Sequence, residues 1–152
     1  MTTARNIIAG LGGAIALNLL HQAFAKTDKD APRLDLVGEE AVQKGLEAVG
    51  ETPIKDEKNL FATALGADLI SNALYFSMIG VGNNKNAWSK ALGLGLTAGT
   101  GAVTLPKMLG LNPTPITKTN KTKSMTVGYY LAGALVTAGI LKFMDSRNIL
   151  VN

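Results

Sequence analysis

"GLGLTAGTGAVTLPKMLGL", residues Gly93 to Leu111, decides how the rest of the chain is read. It carries five glycines and no charge before Lys107. In water each interior glycine costs a helix about 1 kcal/mol relative to alanine, so in a water-soluble domain the stretch would be a loop. A bilayer holds no water to pair with free backbone groups, so helix is enforced there even on poor helix formers. Small side chains then let neighbouring helices approach closely. Gly95 and Gly99 form a GxxxG pair, and Ala98 and Ala102 form a second small-xxx-small pair on the next ridge. A phosphate-cradling loop would need a preceding strand and the order GxxxxGK[ST]. Residues Gly101 to Lys107 do not supply that order.

The same composition recurs on either side. Hydrophobic residues make up 47% of the 152, but charged residues only 17%, against about 25% in soluble domains. The charges are segregated. Asn6–Ala25, Ala91–Pro106 and Ser124–Leu141 hold none, and Asn59–Gly82 holds only Asp68. A spanning helix needs about 20 mainly apolar residues, and each window has about that length. We therefore expect an all-α, integral membrane four-helix bundle, one domain over residues 1–152. Its two helical hairpins have spans at about 5–25, 59–82, 88–110 and 124–144. A soluble bundle would show one apolar stripe with polar residues opposite, whereas Leu92 to Leu105 is apolar or small all round. In the first span Ala9 with Gly13, and Gly10 with Ala14, repeat the small-residue spacing. The expected helix-packing residues are Gly10, Gly13, Gly95, Gly99, Ala98 and Ala102. Residues 1–25 also carry the outline of a cleavable secretory signal, with Arg5 before an apolar run and Ala23-Phe24-Ala25 resembling a signal-peptidase site; we read them as a span.

Ala9 to Leu17 and Ala98 to Leu105 are alike in their run of small residues, which gives the outline of a parallel repeat of two hairpins. From Leu69 onward the order of features is more particular. "LISNALYFSMIGVG" sets Tyr75 near Gly80. Leu105-Pro106 leads into Gly110-Leu111-Asn112-Pro113. "SMTVGYYLAGALVTAGI" carries Gly128-Tyr129-Tyr130. That order resembles the small bacterial inner-membrane proteins of the YagU type, a domain family of unknown function, over roughly residues 69–141. The resemblance implies a multi-pass protein of the bacterial inner (cytoplasmic) membrane. It carries no catalytic residues across, and residues 26–58 have no counterpart in it.

The first connection, Lys26 to Lys58, is the one long polar region. After "KTDKDAPR", Leu34, Val37, Ala41, Val42, Leu46 and Val49 recur at helical spacing, with Glu39, Glu40, Gln43, Lys44 and Glu47 on the other side. This predicts an amphipathic surface helix of about 15 residues, ended by Gly50 and Pro53. It would pack as a lid on the end of the bundle or lie in the interface; docking a partner protein is the sharper alternative. The third connection, "GLNPTPITKTNKTKS", is expected to be extended and exposed, with a helix start at Ser124 and lysines placed for contact with lipid phosphate. Lysine and arginine number ten in the first and third connections and five on the side of the termini and second connection. That bias favours the long connections as cytoplasmic.

Several function classes are excluded. With no cysteine there is no disulfide or thiolate metal site. One histidine cannot bind a metal alone. A net charge of +4 with 5% aromatics, not interleaved with the lysines, does not describe a nucleic-acid surface. No nucleophile is paired with a base in the sequence pattern, so neither an enzyme nor a cofactor is expected. What remains is Asp68, the one acid inside a spanning window, where a charge costs a few kcal/mol and faces the bundle or a cavity. Asn72 follows one turn later and Tyr75 at the next. Asn18 and His21 share a face of the first span. Antiparallel packing of the first two spans would join Asn18, His21, Asp68 and Asn72 in an intramembrane polar cluster. The expected role is that of a non-catalytic structural or accessory subunit, packing in lipid as a homo-oligomer or within a larger membrane complex through exposed GxxxG faces. The alternative is a small transporter or channel built around Asp68.

Overall fold

A computed structural model describes residues 3–147, and every regular element among them is helical. Four long helices carry the architecture: α1 (Thr3–Ala25), α3 (Glu57–Ser77), α4 (Ala87–Met108) and α6 (Asn120–Ser146). Between α1 and α3 lies α2 (Leu34–Ala48), the amphipathic helix expected in the first connection. A single turn, α5 (Thr114–Thr117), lies in the third. Two 3-10 turns, Met78–Gly80 and Asn84–Asn86, make the bend from α3 to α4, through which the chain turns by 117°. Gly82, with φ +76°, sits within that bend.

The ends follow from local chemistry. Asp56 caps α3 by accepting from the backbone N–H of Asn59 at 2.8 Å. Thr119 caps α6 through the N–H of Thr122 at 3.0 Å. Gly50, at φ +79°, takes the left-handed conformation that closes α2. The third connection differs from expectation. It is not wholly extended and exposed: Ile116 is buried, and α6 begins at Asn120 rather than Ser124, because Thr119 supplies the cap.

Helices α1 and α6 form the centre, with α3 against α1 and α4 against α6. Each of these three pairs is antiparallel. Gly10 meets Ala73 while Asn18 meets Asp68; Arg5 meets Asp145 while Phe24 meets Tyr129; Trp88 lies near Gly139 while Gly99 meets Val127. The parallel repeat read from the sequence is not reproduced in these positions, since α1 is central and α4 peripheral. The glycines explain the close pairing. A Cβ on Gly13 would overlap the Thr137 hydroxyl and the Gly133 carbonyl, and one on Gly10 would overlap the Ala73 carbonyl. At Gly99 a Cβ would stand 2.7 Å from the Val127 Cα.

The bundle keeps few large side chains inside. Its interior combines alanines and glycines with Leu17, Phe76, Ile79 and Leu141, and Asn18, His21, Asn72, Thr122, Thr126 and Thr137 are buried among them. Its exterior carries large apolar side chains, with Leu19 and Ile70 more than 60% exposed. On α1 exposed large apolar residues run from Ile7 to Phe24, on α3 from Phe61 to Leu74 and on α4 from Trp88 to Met108. At 1.5 Å per residue these belts are about 20–30 Å tall, comparable with the ~30 Å hydrocarbon thickness of a bilayer. Taken singly, α1 and α6 are long and apolar enough to cross a membrane; α3 and α4 reach that standard only as a pair. The polar start Glu57-Lys58-Asn59 and Asp68 lower α3, while glycines and threonines lower α4.

Candidate functional site

The polar cluster lies where α1 and α3 cross beneath α2. Asn18 donates from Nδ2 to Asp68 Oδ2 at 2.8 Å, and Asn72 donates from Nδ2 to Asp68 Oδ1 at 2.9 Å. Both carboxylate oxygens are thus held by neutral amide donors, one from the neighbouring helix and one a turn along its own. Asn18 also donates to the Ala14 carbonyl at 3.2 Å, which fixes its rotamer.

His21 stands nearly one turn beyond Asn18 on α1 and is 6% exposed. Its Nε2 lies 3.3 Å from Oδ1 of Asp35 on α2, close enough for an ionic contact but outside hydrogen-bond geometry. Asp35 is gripped from outside by Arg33, whose Nε donates to Oδ1 at 2.9 Å and whose second nitrogen donates to Oδ2 at 2.5 Å. Burial raises the Asp35 carboxyl, but the adjoining imidazole and guanidinium outweigh it and hold the group well below the ordinary carboxylate range. His21, Asp35, Asp68 and Asn18 line one cavity of about 40 Å³, walled on its other sides by Leu34, Phe61, Ala64 and Leu65.

The lid is anchored rather than lying free on a surface. Helix α2 packs on α3, with Gly38 facing Ala64. The Gln43 side chain pairs with the Ile54 backbone in both directions, at 2.8 and 3.0 Å. Glu40 accepts from the Asn112 N–H at 2.9 Å, and Lys44 donates to the Gly110 carbonyl. Lys121 pairs with Asp28 at 2.6 Å, and the Thr122 hydroxyl donates to the Asp30 carbonyl at 2.8 Å. The first and third connections are therefore stitched together on one end of the bundle.

On the far side of the Asp68–Asn72 pair lies an open groove of about 480 Å³ between α3 and α4, with Asn72, Tyr75 and Tyr130 at its inner wall. Tyr75 bridges it by donating to the Leu94 carbonyl at 3.0 Å. Thr97 and Thr104 turn their hydroxyls back to their own helix, at 2.8 and 2.9 Å, so the groove presents mainly hydrocarbon.

The structure brings Asn18, Asp68 and Asn72 into direct contact and sets His21 on the same cavity. Gly10, Gly13, Gly95 and Gly99 all lie in helix contacts, but within this chain. The expected lipid-facing ridge of Gly95 and Gly99 is instead covered by Leu131, Ala134 and Val127 of α6. Ala98 and Ala102 are half-buried in the groove wall. Asp35 was not legible as a member of the site, because its place depends on how α2 folds back. A second polar group at the opposite end was equally hidden: buried Arg5 pairs with Asp145 at 2.6 Å, and Asn84 donates to the same carboxylate at 3.1 Å. Among the described residues, no three His, Asp or Glu side chains are grouped to hold a metal.

No family model, curated protein or solved structure matches this chain.

Proposed function

We propose that the chain is a four-pass integral membrane protein whose Asp68 centre handles protons or small cations, as a small transporter or channel. The observation that carries this reading is the carboxylate held inside a helical bundle by Asn18 and Asn72, beside a histidine on the same small cavity. An ionisable group at that depth is costly, faces the bundle interior or a cavity, and there marks an ion pathway or fixes the register of the helices by hydrogen bonds. The reading is non-catalytic. The belt of exposed apolar residues on α1, α3 and α4 supports four spans, and the stitched connections support both long loops lying on one side. The lysine and arginine excess there favours the cytoplasmic side. The inner membrane of a bacterium is proposed on the YagU-type resemblance, which rests on Gly, Pro and aromatic punctuation alone.

The test is reconstitution into liposomes loaded with a pH-sensitive or cation-sensitive dye. Wild-type protein should carry a flux that Asp68→Asn removes while helix content is kept. A flux that Asp68→Asn leaves intact, or no flux at all, overturns the proposal.

The second reading is an accessory subunit that packs with copies of itself or with a larger membrane complex. It is favoured by the groove between α3 and α4, where Ala98 and Ala102 offer small residues that no helix of this chain fills. The glycine pairs no longer argue for it, since α6 consumes them. Mass in detergent tests it: a multimer that Ala98→Leu converts to monomer supports the reading, and a strict monomer that co-purifies with no membrane protein rejects it.

A further inference from the structure

We infer that the species handled at Asp68 is the proton, entering from the α2 side at His21, beside the fixed negative charge of Asp35, and crossing the cavity by way of water. This rests on the ion-handling reading above and narrows it to one substrate and one direction of approach.

Three titratable side chains stand in series. Asp35 sits at the edge of the lid, with its partner Arg33 half in solvent. His21 follows, 3.3 Å inward, and Asp68 stands across the cavity. His21 Nε2 is buried without a hydrogen-bond partner, and such atoms are ordinarily satisfied by protein or ordered water. The cavity of about 40 Å³ is sized for water, which needs roughly 10–15 Å³ of such volume and two to four polar partners. Nε2, the Asp68 and Asp35 carboxylates and the Asn18 amide supply those partners. A metal ion would find no group of three His, Asp or Glu ligands among the described residues, and both Asp68 oxygens already accept an amide N–H.

The transfer balances without any further reactant. Nε2 of neutral imidazole takes a proton from the lid side and becomes imidazolium facing Asp35. The Nε2–H bond then breaks to the cavity water as that water gives a different proton to Asp68. Imidazole and carboxylic acid replace imidazolium and carboxylate, and the water is restored. Imidazole suits this because it ordinarily exchanges a proton near neutral pH. The charged groups around it are Asp35 and Arg33 from the lid and Asp68 from α3; no α6 residue lines the cavity.

The experiment uses the full chain in liposomes, with internal pH followed by a trapped dye and rubidium and sodium uptake followed in parallel. Infrared difference spectra report the carbonyl stretch of a protonated Asp68, identified by its loss in Asp68→Asn. Proton uptake without uptake of either metal is expected. His21→Gln should slow proton uptake by about a hundredfold and delay the Asp68 carbonyl signal to the same degree. Asp35→Asn should slow both in the same direction, and this holds the test should His21→Gln fail to fold. Asp68-dependent flux of sodium or rubidium overturns the proton assignment while leaving ion handling intact. Proton uptake unchanged in both variants overturns the route. Absence of every flux overturns the ion-handling reading itself, and this inference with it.

Discussion

Gly13 of α1 faces Gly133 of α6 so closely that a Cβ on Gly13 would overlap the Gly133 carbonyl oxygen. The two central helices therefore touch backbone to backbone, and the bundle is assembled on that contact. Gly13→Ala should destabilise the protein by about 1–3 kcal/mol, because rigid main chain must move apart. Gly93→Ala and Gly128→Ala have open space around the new methyl and should stay within about 0.5 kcal/mol of wild type. Unfolding in detergent, followed by circular dichroism, gives the comparison; equal stability for Gly13→Ala would refute the packing.

At the opposite end from the lid, Arg5 is buried while its partner Asp145 is about one-third exposed at the side chain. Asp145→Ala leaves the guanidinium without its counter-charge. The expected loss is about 2 kcal/mol, below that of a fully buried pair because one partner is partly solvated. Asp145→Glu should recover part of it. The same unfolding measurement decides, and no change in Asp145→Ala would show the pair to be immaterial.

The lid is fastened through Asp35, whose carboxyl is depressed in the folded protein by His21 and Arg33. A depressed carboxyl contributes stability above its unfolded value, about 3.9, and that contribution is lost as pH falls towards the folded value. Closure of α2 over the cavity should therefore be constant from neutral pH down to about pH 4 and weaken only in stronger acid. Asp35→Asn removes this dependence. Hydrogen exchange of the α2 amides across that range is the check; lid opening at pH 6 would contradict it.

Gln43 ties α2 to the loop before α3 by pairing with both backbone groups of Ile54. Gln43→Ala should cost about 1–2 kcal/mol locally. Proteolysis should then cut faster between residues 49 and 56 while the long helices remain protected. An unchanged cleavage rate would show the loop to be held by something else.

Much of this arrangement is legible in the chain itself. Three charge-free windows and one with a single acid locate the four long helices to within a few residues. The i, i+4 rhythm from Leu34 to Val49 gives α2. Asn18 and Asp68 are within reach of inference because antiparallel neighbours place them at one depth. The rest depends on long-range contacts that leave no local trace. Whether Gly95 and Gly99 face lipid or α6 is a matter of which helix lands beside α4. Asp35 joins His21 only because α2 folds back against α3. The early start of α6 turns on one cap, Thr119, which a count of apolar residues does not weigh. Arg5 and Asp145 stand 140 residues apart, and only the α1–α6 pairing joins them.

The central claim is that all four long helices, not only α1 and α6, stand in lipid with their large apolar side chains outward. The chain has no cysteine, so single cysteines can be placed at Ile15, Ile70, Leu96 and Val136, one exposed position near the middle of each helix. A nitroxide label at each site, read for collision with oxygen against a water-soluble relaxing agent in liposomes, tests the claim directly. All four sites should be open to oxygen and shielded from the aqueous agent. Labels on α3 or α4 that meet the aqueous agent freely would leave two spans and contradict the account.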